Sequence, residues 1–155
     1  MQFHSLGIDI CEEEYSLIGI HTTLEDYKLA YLLNKYLGTR FYKSKKDLCL
    51  EKMKKRTSFS IFNFSNIEYD FEWFLISNSS KKENQTTSKE LLLTSETKTY
   101  LIPEKKKVDF FIKITGNIQY SFVAKTVNKI KDIDQVITSY SVDKNTLKSK
   151  DFLIF

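Results

Sequence analysis

Hydrophobic residues recur at helical spacing in two segments of the chain, with strand-like runs between them. The first segment is apolar every three or four positions, on a face formed by Leu24, Tyr27, Ala30, Leu33 and Leu37 and widened by Leu29, Leu32 and Tyr36. Thr22 and Glu25 have the S/T-x-x-E spacing of a capping box, and Gly38 stands where a left-handed C-cap is favoured. We predict a helix over residues 23–37, covered on most sides by a sheet or a partner subunit.

The middle of the chain has the pattern of a β-hairpin. Residues 58–64 and 67–76 are rich in aromatic and β-branched side chains, and the second run alternates apolar with acidic residues as far as Trp73. Ser65 and Asn66 between the runs fit a two-residue turn. We expect one face of the hairpin to pack on the core and the other to face water. Residues 40–43 fit a short edge strand, and the polar residues 77–89 fit an exposed loop.

A first strand over residues 15–21 precedes the first helix, and a distinctive stretch precedes the second. Residues 100–114 place the only proline and three consecutive lysines between two apolar runs, a pattern we interpret as strand, charged turn, strand. Asn117 then fits an N-cap, followed by an inward face of Ile118, Phe122, Val123, Val127 and Ile130. Residues 133–142 fit a last strand. The apolar residues 151–155 are expected to pack on the body of the protein.

The two ends of the chain align with each other without gaps. Ile18 falls on Ile112 and Lys35 on Lys129, each 94 positions further along, and the apolar helix positions follow the same offset. We predict two similar β-α-β units joined by a β-meander. The expected fold class is α+β, a single domain over residues 1–155 with an antiparallel sheet and two helices packed on one face.

Composition narrows the class of protein. At 155 residues, 41% hydrophobic and 28% charged, the chain is globular, and its net charge of +4 favours solubility. It has no secretion-signal pattern and no apolar run of about 20 residues, so we expect a soluble cytoplasmic protein with no membrane partner. Cys11 and Cys49 fit neither a zinc site nor a CxxC motif, and we expect both to be reduced and buried. No metal or cofactor is expected.

The central motif resembles a known signature. Ile102, Pro103 and Glu104, then three lysines, then Val108, Asp109 and Phe110, are similar to the motif of the uncharacterised bacterial IPExxxVDY family. Residues 17–20, 26–30 and 151–155 also resemble that family, so the likeness covers most of the chain. Phe110 stands where the family name has Tyr, which favours packing over chemistry at this position. The resemblance implies no activity.

Three side chains are candidates for chemistry. Glu104 and Asp109 flank the lysine turn, where paired carboxylates serve acid–base catalysis or bind a cation. The structural alternative has Asp109 paired with a lysine and Glu104 closing the turn, and we favour it because carboxylates are common in turns. His21 ends the first strand before a helix, but no nucleophile motif surrounds it, so a hydrogen-bonded structural role is again favoured.

Two surface features point to binding. One is a basic patch between residues 43 and 56, formed by Lys43, Lys45, Lys46, Lys52, Lys54, Lys55 and Arg56. It fits contact with nucleic-acid phosphates, although only two arginines occur in the chain. The other is the excess of large apolar residues, with twelve Phe and nine Tyr, which predicts an exposed patch for a protein partner or for self-association. A non-catalytic protein-interaction module ranks first, a nucleic-acid (RNA) binder second, and a small-molecule enzyme using Asp109 or His21 third.

Overall fold

The computed structural model describes residues 13–52, 55–66, 71–80 and 98–155. Two helices are present in these ranges, α1 (Asp26–Leu37) and α2 (Tyr120–Lys131). The strands are β1 (Tyr15–Thr22), β2 (Tyr42–Lys43), β3 (Leu48–Lys52), β4 (Lys55–Phe59), β5 (Ile61–Asn66), β6 (Phe71–Ser77), β7 (Ser79–Ser80), β8 (Thr99–Tyr100), β9 (Phe110–Thr115) and β10 (Val136–Val142). Short 3-10 helices cover Pro103–Lys105, Lys144–Thr146 and Lys150–Leu153.

Six strands form one antiparallel sheet in the order β10-β1-β9-β6-β5-β2. Strands β3 and β4 form a separate hairpin, and β7 pairs with β8. Both helices contribute to a single core with one face of the large sheet, where Leu33 and Ile130 share a cluster with Ile18 and Ile112. The predicted α+β architecture, with two helices on one face of an antiparallel sheet, is therefore confirmed.

The β-α units at the two chain ends are also confirmed, and they correspond closely. Each boundary of α2 lies 94 positions after the matching boundary of α1, and β10 begins 94 positions after β2. Ile18 and Ile112, which the same offset aligns, are cross-strand neighbours in the β1–β9 pair. The β9-α2-β10 unit encloses β1, whereas β9, β6 and β5 separate β1 from β2.

Both predicted N-caps are wrong, although the helices themselves are confirmed. Helix α1 begins at Asp26 after Glu25, with no side-chain cap, because Thr22 is still the last residue of β1. The Thr22 hydroxyl donates to the Gln135 carbonyl at 2.8 Å and accepts from the Leu24 amide at 3.1 Å. Helix α2 likewise begins after Gln119 rather than Asn117. Gly38 has a φ of 70° and ends α1 in the left-handed conformation, as predicted.

Helix α1 is less enclosed than its sequence predicts. Leu29, Ala30 and Leu33 are buried against the sheet. Tyr27 and Tyr36, assigned to the apolar face, are 56% and 42% exposed. On α2, Phe122 is likewise exposed by 44%, although its ring packs edge-on against Trp73. The predicted apolar face of α1 was too wide because it included tyrosines. A tyrosine side chain is compatible with both the core and the solvent, so its spacing alone does not indicate burial.

Most of the sheet face opposite the helices is covered, so the expectation that one face of the hairpin faces water holds only at its far end, where Glu72 and Ser65 are exposed. A second core covers this sheet face, formed by residues of β1, β4, β5, β6, β9 and β10 together with Leu101, Ile102, Val108, Leu147 and Leu153. These five residues come from loops and 3-10 turns, whose contribution to a core has no periodic signature. Central strand β9 is consequently buried on both sides.

The predicted hairpin is confirmed as β5 paired with β6, but its turn is elsewhere. Asn66 lies opposite Phe71 and Ser65 opposite Glu72, so both residues belong to the strand. Residues 67–70, which include half of the alternating run, are outside the described residues. The run 58–64 is interrupted at Ser60, between β4 and β5. Edge strand β2 is confirmed at Tyr42–Lys43.

Three smaller expectations have different outcomes. Most of the polar loop lies outside the described residues, but Ser79–Ser80 forms β7, paired with β8. Cys49 is exposed rather than buried, and Cys11 is outside the described residues. The residues 151–155 do pack on the body, with Leu153 fully buried and Phe155 edge-on to Phe74. Within the described ranges, neither helix is long and apolar enough to cross a membrane.

Candidate functional site

The motif at residues 102–110 forms a loop that covers the second face of the sheet with its buried ends, whereas Pro103, Glu104, Lys106 and Lys107 are exposed. Strand β8 stops at Tyr100, so the predicted strand–turn–strand is correct for the charged turn and the second strand but not for the first strand. Ile102 and Val108 are buried, and Pro103 begins a 3-10 helix, where its missing N–H costs little. A Cβ on Gly19 would lie 3.4 Å from the Val108 side chain, so the loop approaches β1 closely there. Phe110 is buried in the core beneath the helices.

Asn78 holds this loop in place. Its side chain is fully buried, and its amide donates to the carbonyls of Lys105 at 2.9 Å and Val108 at 2.8 Å. Its side-chain oxygen accepts from the Ile102 amide at 2.8 Å. The Asn78 backbone adds a bond to each of Leu101 and Asp109. One residue therefore makes five hydrogen bonds to residues 101–109, a role that no local sequence pattern around Asn78 predicts.

Glu104 connects the loop to the C-terminal part of the chain. Its carboxylate accepts from the Ser149 amide at 2.7 Å and from the Ser149 hydroxyl at 3.0 Å. Partial burial raises the pKa of Glu104, but the hydrogen bonds from Ser149, together with the backbone amides of Glu104 and Lys148, outweigh this effect and hold the pKa below its usual value. The prediction that Glu104 closes its own turn is wrong, because its partner lies 45 residues further along.

Acid should weaken this connection. Because folding lowers the pKa of Glu104, its stabilisation is present above the unfolded-state pKa and is lost as the pH falls through the folded-state value. We expect the free energy of unfolding of wild type to fall more than that of Glu104→Gln between about pH 6 and about pH 3. The difference should stay below about 1 kcal/mol because the pair is exposed. Parallel pH dependences in urea titrations would contradict the assignment.

Asp109 bonds to the chain near α1 rather than to a lysine. Its carboxylate accepts from the Thr22 amide at 2.9 Å, and its own amide donates to the Ile20 carbonyl at 2.9 Å. Asp109 and Glu104 thus bind different segments and do not form a carboxylate pair. Among the described residues, no group of three or more His, Cys, Asp or Glu side chains lies together in a way that would hold a metal ion. Both carboxylates are accounted for by fold-stabilising bonds.

His21 pairs with Tyr140 across the β1–β10 edge of the sheet. Its Nε2 lies 2.9 Å from the Tyr140 hydroxyl, and the two rings are 5.4 Å apart between centroids. Burial raises the pKa of Tyr140. In the described part of the chain, the side chain of His21 has the Tyr140 hydroxyl as its polar partner, and no nucleophile forms a hydrogen bond with it. The arrangement fits the structural role favoured from the sequence.

Lys113, which the sequence analysis passed over, is the most unusual charged residue of the described structure. It is 0% exposed in the centre of β9. Its Nζ donates to the Leu153 carbonyl at 2.6 Å and to the Glu13 carboxylate at 2.9 Å. Three aromatic rings enclose it, with centroids 4.9 Å away for Tyr15, 5.7 Å for Phe74 and 4.7 Å for Phe155. The sequence contains one signal of this burial, since Lys113 is the only charged residue in β9.

Only part of the basic patch can be placed. Lys43 is bound to Asp47 at 2.6 Å, whereas Lys45 and Lys46 are exposed in the turn that follows β2. The remaining basic residues belong to the β3–β4 hairpin, in which Lys52 opposes Lys55 and Glu51 opposes Arg56, except for Lys54, which lies outside the described residues. The hairpin itself was not predicted. Nucleic-acid binding by this patch stays a prediction.

A surface hollow of about 230 Å³ lies where β1, α2 and β10 meet. Its two charged groups, Asp143 and Lys144, already have partners within the described structure. The Asp143 carboxylate accepts from the Asn145 amide at 3.0 Å, and the Lys144 amino group lies 4.4 Å from the centre of the Tyr15 ring. Burial, together with the charges of Glu13 and Asp151, raises the pKa of Tyr15. The hollow therefore provides no evident acid–base pair.

The two edges of the large sheet differ. One edge is β2, which is only two residues long and contains Lys43. Short length and a lysine both discourage pairing with another strand. The other edge is β10, which has seven residues without a charge, a proline or a glycine. Ile137 near its start is 71% exposed. Among the described residues, no strand pairs with the outer side of β10.

The register identifies the backbone groups at this open edge. The Ile20 carbonyl accepts from Asp109, so Ile20 directs its backbone groups towards β9, and Gly19 and His21 direct theirs towards β10. Tyr140 and Thr138 lie opposite these two residues and face inward. The backbone N–H and C=O groups of Ile137, Ser139 and Ser141 therefore point outward. In the part of the chain that is described, no backbone bond joins them to another element.

Comparison of the chain with protein-family models and with curated proteins finds no match in either case. The resemblance to the IPExxxVDY family accordingly stays a prediction.

Proposed function

We propose that the protein is a non-catalytic, cytoplasmic protein-interaction module that binds its partner along the outer edge of β10. The observation that carries the proposal is the open edge itself, a seven-residue uncharged strand with three sets of outward backbone groups. An extended segment of a partner can add to such an edge as a further strand, gaining affinity from main-chain hydrogen bonds.

The contacts made by the candidate catalytic groups favour a binding function over a catalytic one. Glu104 and Asp109 bind backbone amides of the same chain, at Ser149 and Thr22 respectively. His21 bonds to Tyr140, and Lys113 is enclosed by aromatic rings. Each of these groups therefore has a structural role. An acid–base pair that opens onto the hollow beside α2 would have supported the enzyme hypothesis instead.

Edge exposure also distinguishes β10 from ordinary surface strands. Natural sheets protect long edges with charges, prolines, bulges or covering segments, because an open edge promotes aggregation. Within the described ranges, the protection found is an irregular register at the β1 residues His21 and Thr22, opposite the start of β10. Retaining an open edge is consistent with a strand that is covered when a partner binds.

Site-specific photo-crosslinking tests this proposal. A benzophenone amino acid is placed at exposed Ser141 on β10 or, as a control, at exposed Lys129 on α2. In cells we expect a discrete protein adduct from position 141 that is lost when Ile137→Pro removes an outward N–H in the same chain. A thermal unfolding curve establishes that this proline variant folds. Equal adducts at both positions, or none at position 141, would overturn the proposal.

A further inference from the structure

We infer that the partner of β10 is the β10 strand of a second copy of this chain, paired antiparallel about a two-fold axis at Ser139. This inference rests on the proposed function and names its partner. Two six-stranded sheets would then join into one continuous sheet of twelve strands. Such an interface is isologous, because each copy contributes the same strand.

The outward backbone groups are arranged symmetrically about Ser139. Ile137 and Ser141 lie two residues on either side of it, and all three direct their N–H and C=O groups away from β1. In an antiparallel pair, residues that exchange hydrogen bonds lie directly opposite each other. An axis at Ser139 places Ile137 of one copy opposite Ser141 of the other. This register uses all three outward residues of each strand, whereas an axis at Thr138 or Tyr140 leaves one of them without a counterpart within the strand.

The side chains agree with this register. The paired residues Ile137, Ser139 and Ser141 are uncharged, so no like charges oppose each other within the strand. Beyond its ends, the same symmetry relates Asp134, in the turn before β10, to Lys144, in the 3-10 helix after it, so opposite charges flank both ends of the pairing. Opposite charges at the ends of a pairing favour this register over shifted ones. The amino group of Lys144 lies over the Tyr15 ring, 4.4 Å from its centre, and the side chain remains partly exposed.

A homodimer fits these observations better than a partner of another sequence. A strand that selects a different chain usually carries charges or pockets that its own copy does not complement. Strand β10 has no charged side chain, and its own two-fold symmetry relates Asp134 to Lys144 and places uncharged Gln135 opposite Asp143, so no like charges are opposed. The edge is therefore self-complementary in backbone direction, side-chain polarity and flanking charge.

Charge substitutions at the two exposed edge positions test the dimer. Ile137→Lys combined with Ser141→Lys places two introduced lysines opposite each other at two points of the interface, which is unfavourable. Ile137→Glu combined with Ser141→Lys changes the same positions but places opposite charges there. Both positions are exposed, so neither pair of substitutions disturbs the core.

Sedimentation equilibrium of the purified full-length chain gives the readout. We expect wild type and the Glu/Lys variant to have twice the chain mass, and the Lys/Lys variant to have a dissociation constant raised by about tenfold or more, as like charges opposite each other imply. Circular dichroism is compared for all three proteins. A dimer equally tight in all three would mean that another surface pairs, and it would overturn the inference.

The same measurements separate failure of this inference from failure of the proposed function. If wild type is monomeric at all concentrations but position 141 still gives an adduct with a different chain, the homodimer is wrong and the interaction module stands. If wild type is monomeric and position 141 gives no adduct, both are wrong. An adduct at twice the chain mass supports both.

Discussion

Replacing Lys113 by alanine is expected to lower the free energy of unfolding by about 3–5 kcal/mol. The substitution leaves a cavity in the second core, because Lys113 is fully buried in β9. It also leaves the Leu153 carbonyl without its donor and removes the cation that the rings of Tyr15, Phe74 and Phe155 enclose. Urea unfolding followed by tryptophan fluorescence measures the loss, since Trp73 is buried in the neighbouring strand.

Lys113→Met separates the charge of Lys113 from its volume. Methionine fills most of the space and avoids burying a charge, so we expect a smaller loss of about 1–3 kcal/mol, arising from the unsatisfied Leu153 carbonyl. The C-terminal residues should also be released, and carboxypeptidase should trim them faster than in wild type. If Lys113→Met matches wild type in both stability and trimming, Lys113 does not hold the C-terminal segment.

Asn78→Asp is expected to cost about 3 kcal/mol or more. The substitution removes both donors to the Lys105 and Val108 carbonyls and puts a carboxylate against them in a fully buried position. Asn78→Ala loses the same bonds without adding a charge, so its cost should be smaller. Hydrogen exchange should show the loss first at Ile102, whose amide donates to the Asn78 side chain.

Ser80→Ala is the matched control for Asn78. Ser80 is a neighbouring polar residue that is also buried, but its hydroxyl has no hydrogen-bond partner in the described structure. Removing a buried hydroxyl that makes no bond should be neutral or slightly stabilising. A large loss from Ser80→Ala, or a negligible one from Asn78→Asp, would show that hydrogen bonds to the loop do not explain the stability of this region.

The contacts of residues 102–110 show what this motif does in the fold. Its apolar members Ile102 and Val108 fill the second core, and its acidic members Glu104 and Asp109 bind Ser149 and Thr22. The loop therefore joins the first strand, the central strand and the C-terminal segment. A motif with such long-range partners can require particular residue types for packing and hydrogen bonding without taking part in catalysis.

Several elements were predictable because their signals are local. The spacing of Leu29 and Leu33, with Gly38 in a left-handed cap, indicated α1. The 94-residue offset from Ile18 to Ile112 indicated the matching β-α unit at the other end of the chain. Apolar periodicity needs only neighbouring residues to be visible, since a helix or strand presents one face at a fixed spacing.

The predicted N-cap at Thr22 was wrong for a reason that involves distant residues. Thr22 has the spacing of an N-cap, but its hydroxyl donates to Gln135, which lies 113 positions away. Pairing of β1 with β10 extends the strand to Thr22 and delays the start of α1. A local capping signal was thus overridden by a strand pair whose register only the folded chain defines.

By itself, the sequence determined the fold class, both helices, the β5–β6 hairpin and the docking of the C-terminal residues, because each depends on apolar periodicity or composition within a short window. Only the tertiary structure decided that the second face of the sheet is covered, that Lys113 and Asn78 are buried, and that β10 is an edge strand without a further partner among the residues described. Burial and pairing depend on residues brought together from 24 to 120 positions apart. Side-chain types alone do not specify which of them meet, because many partners of similar polarity are available along the chain.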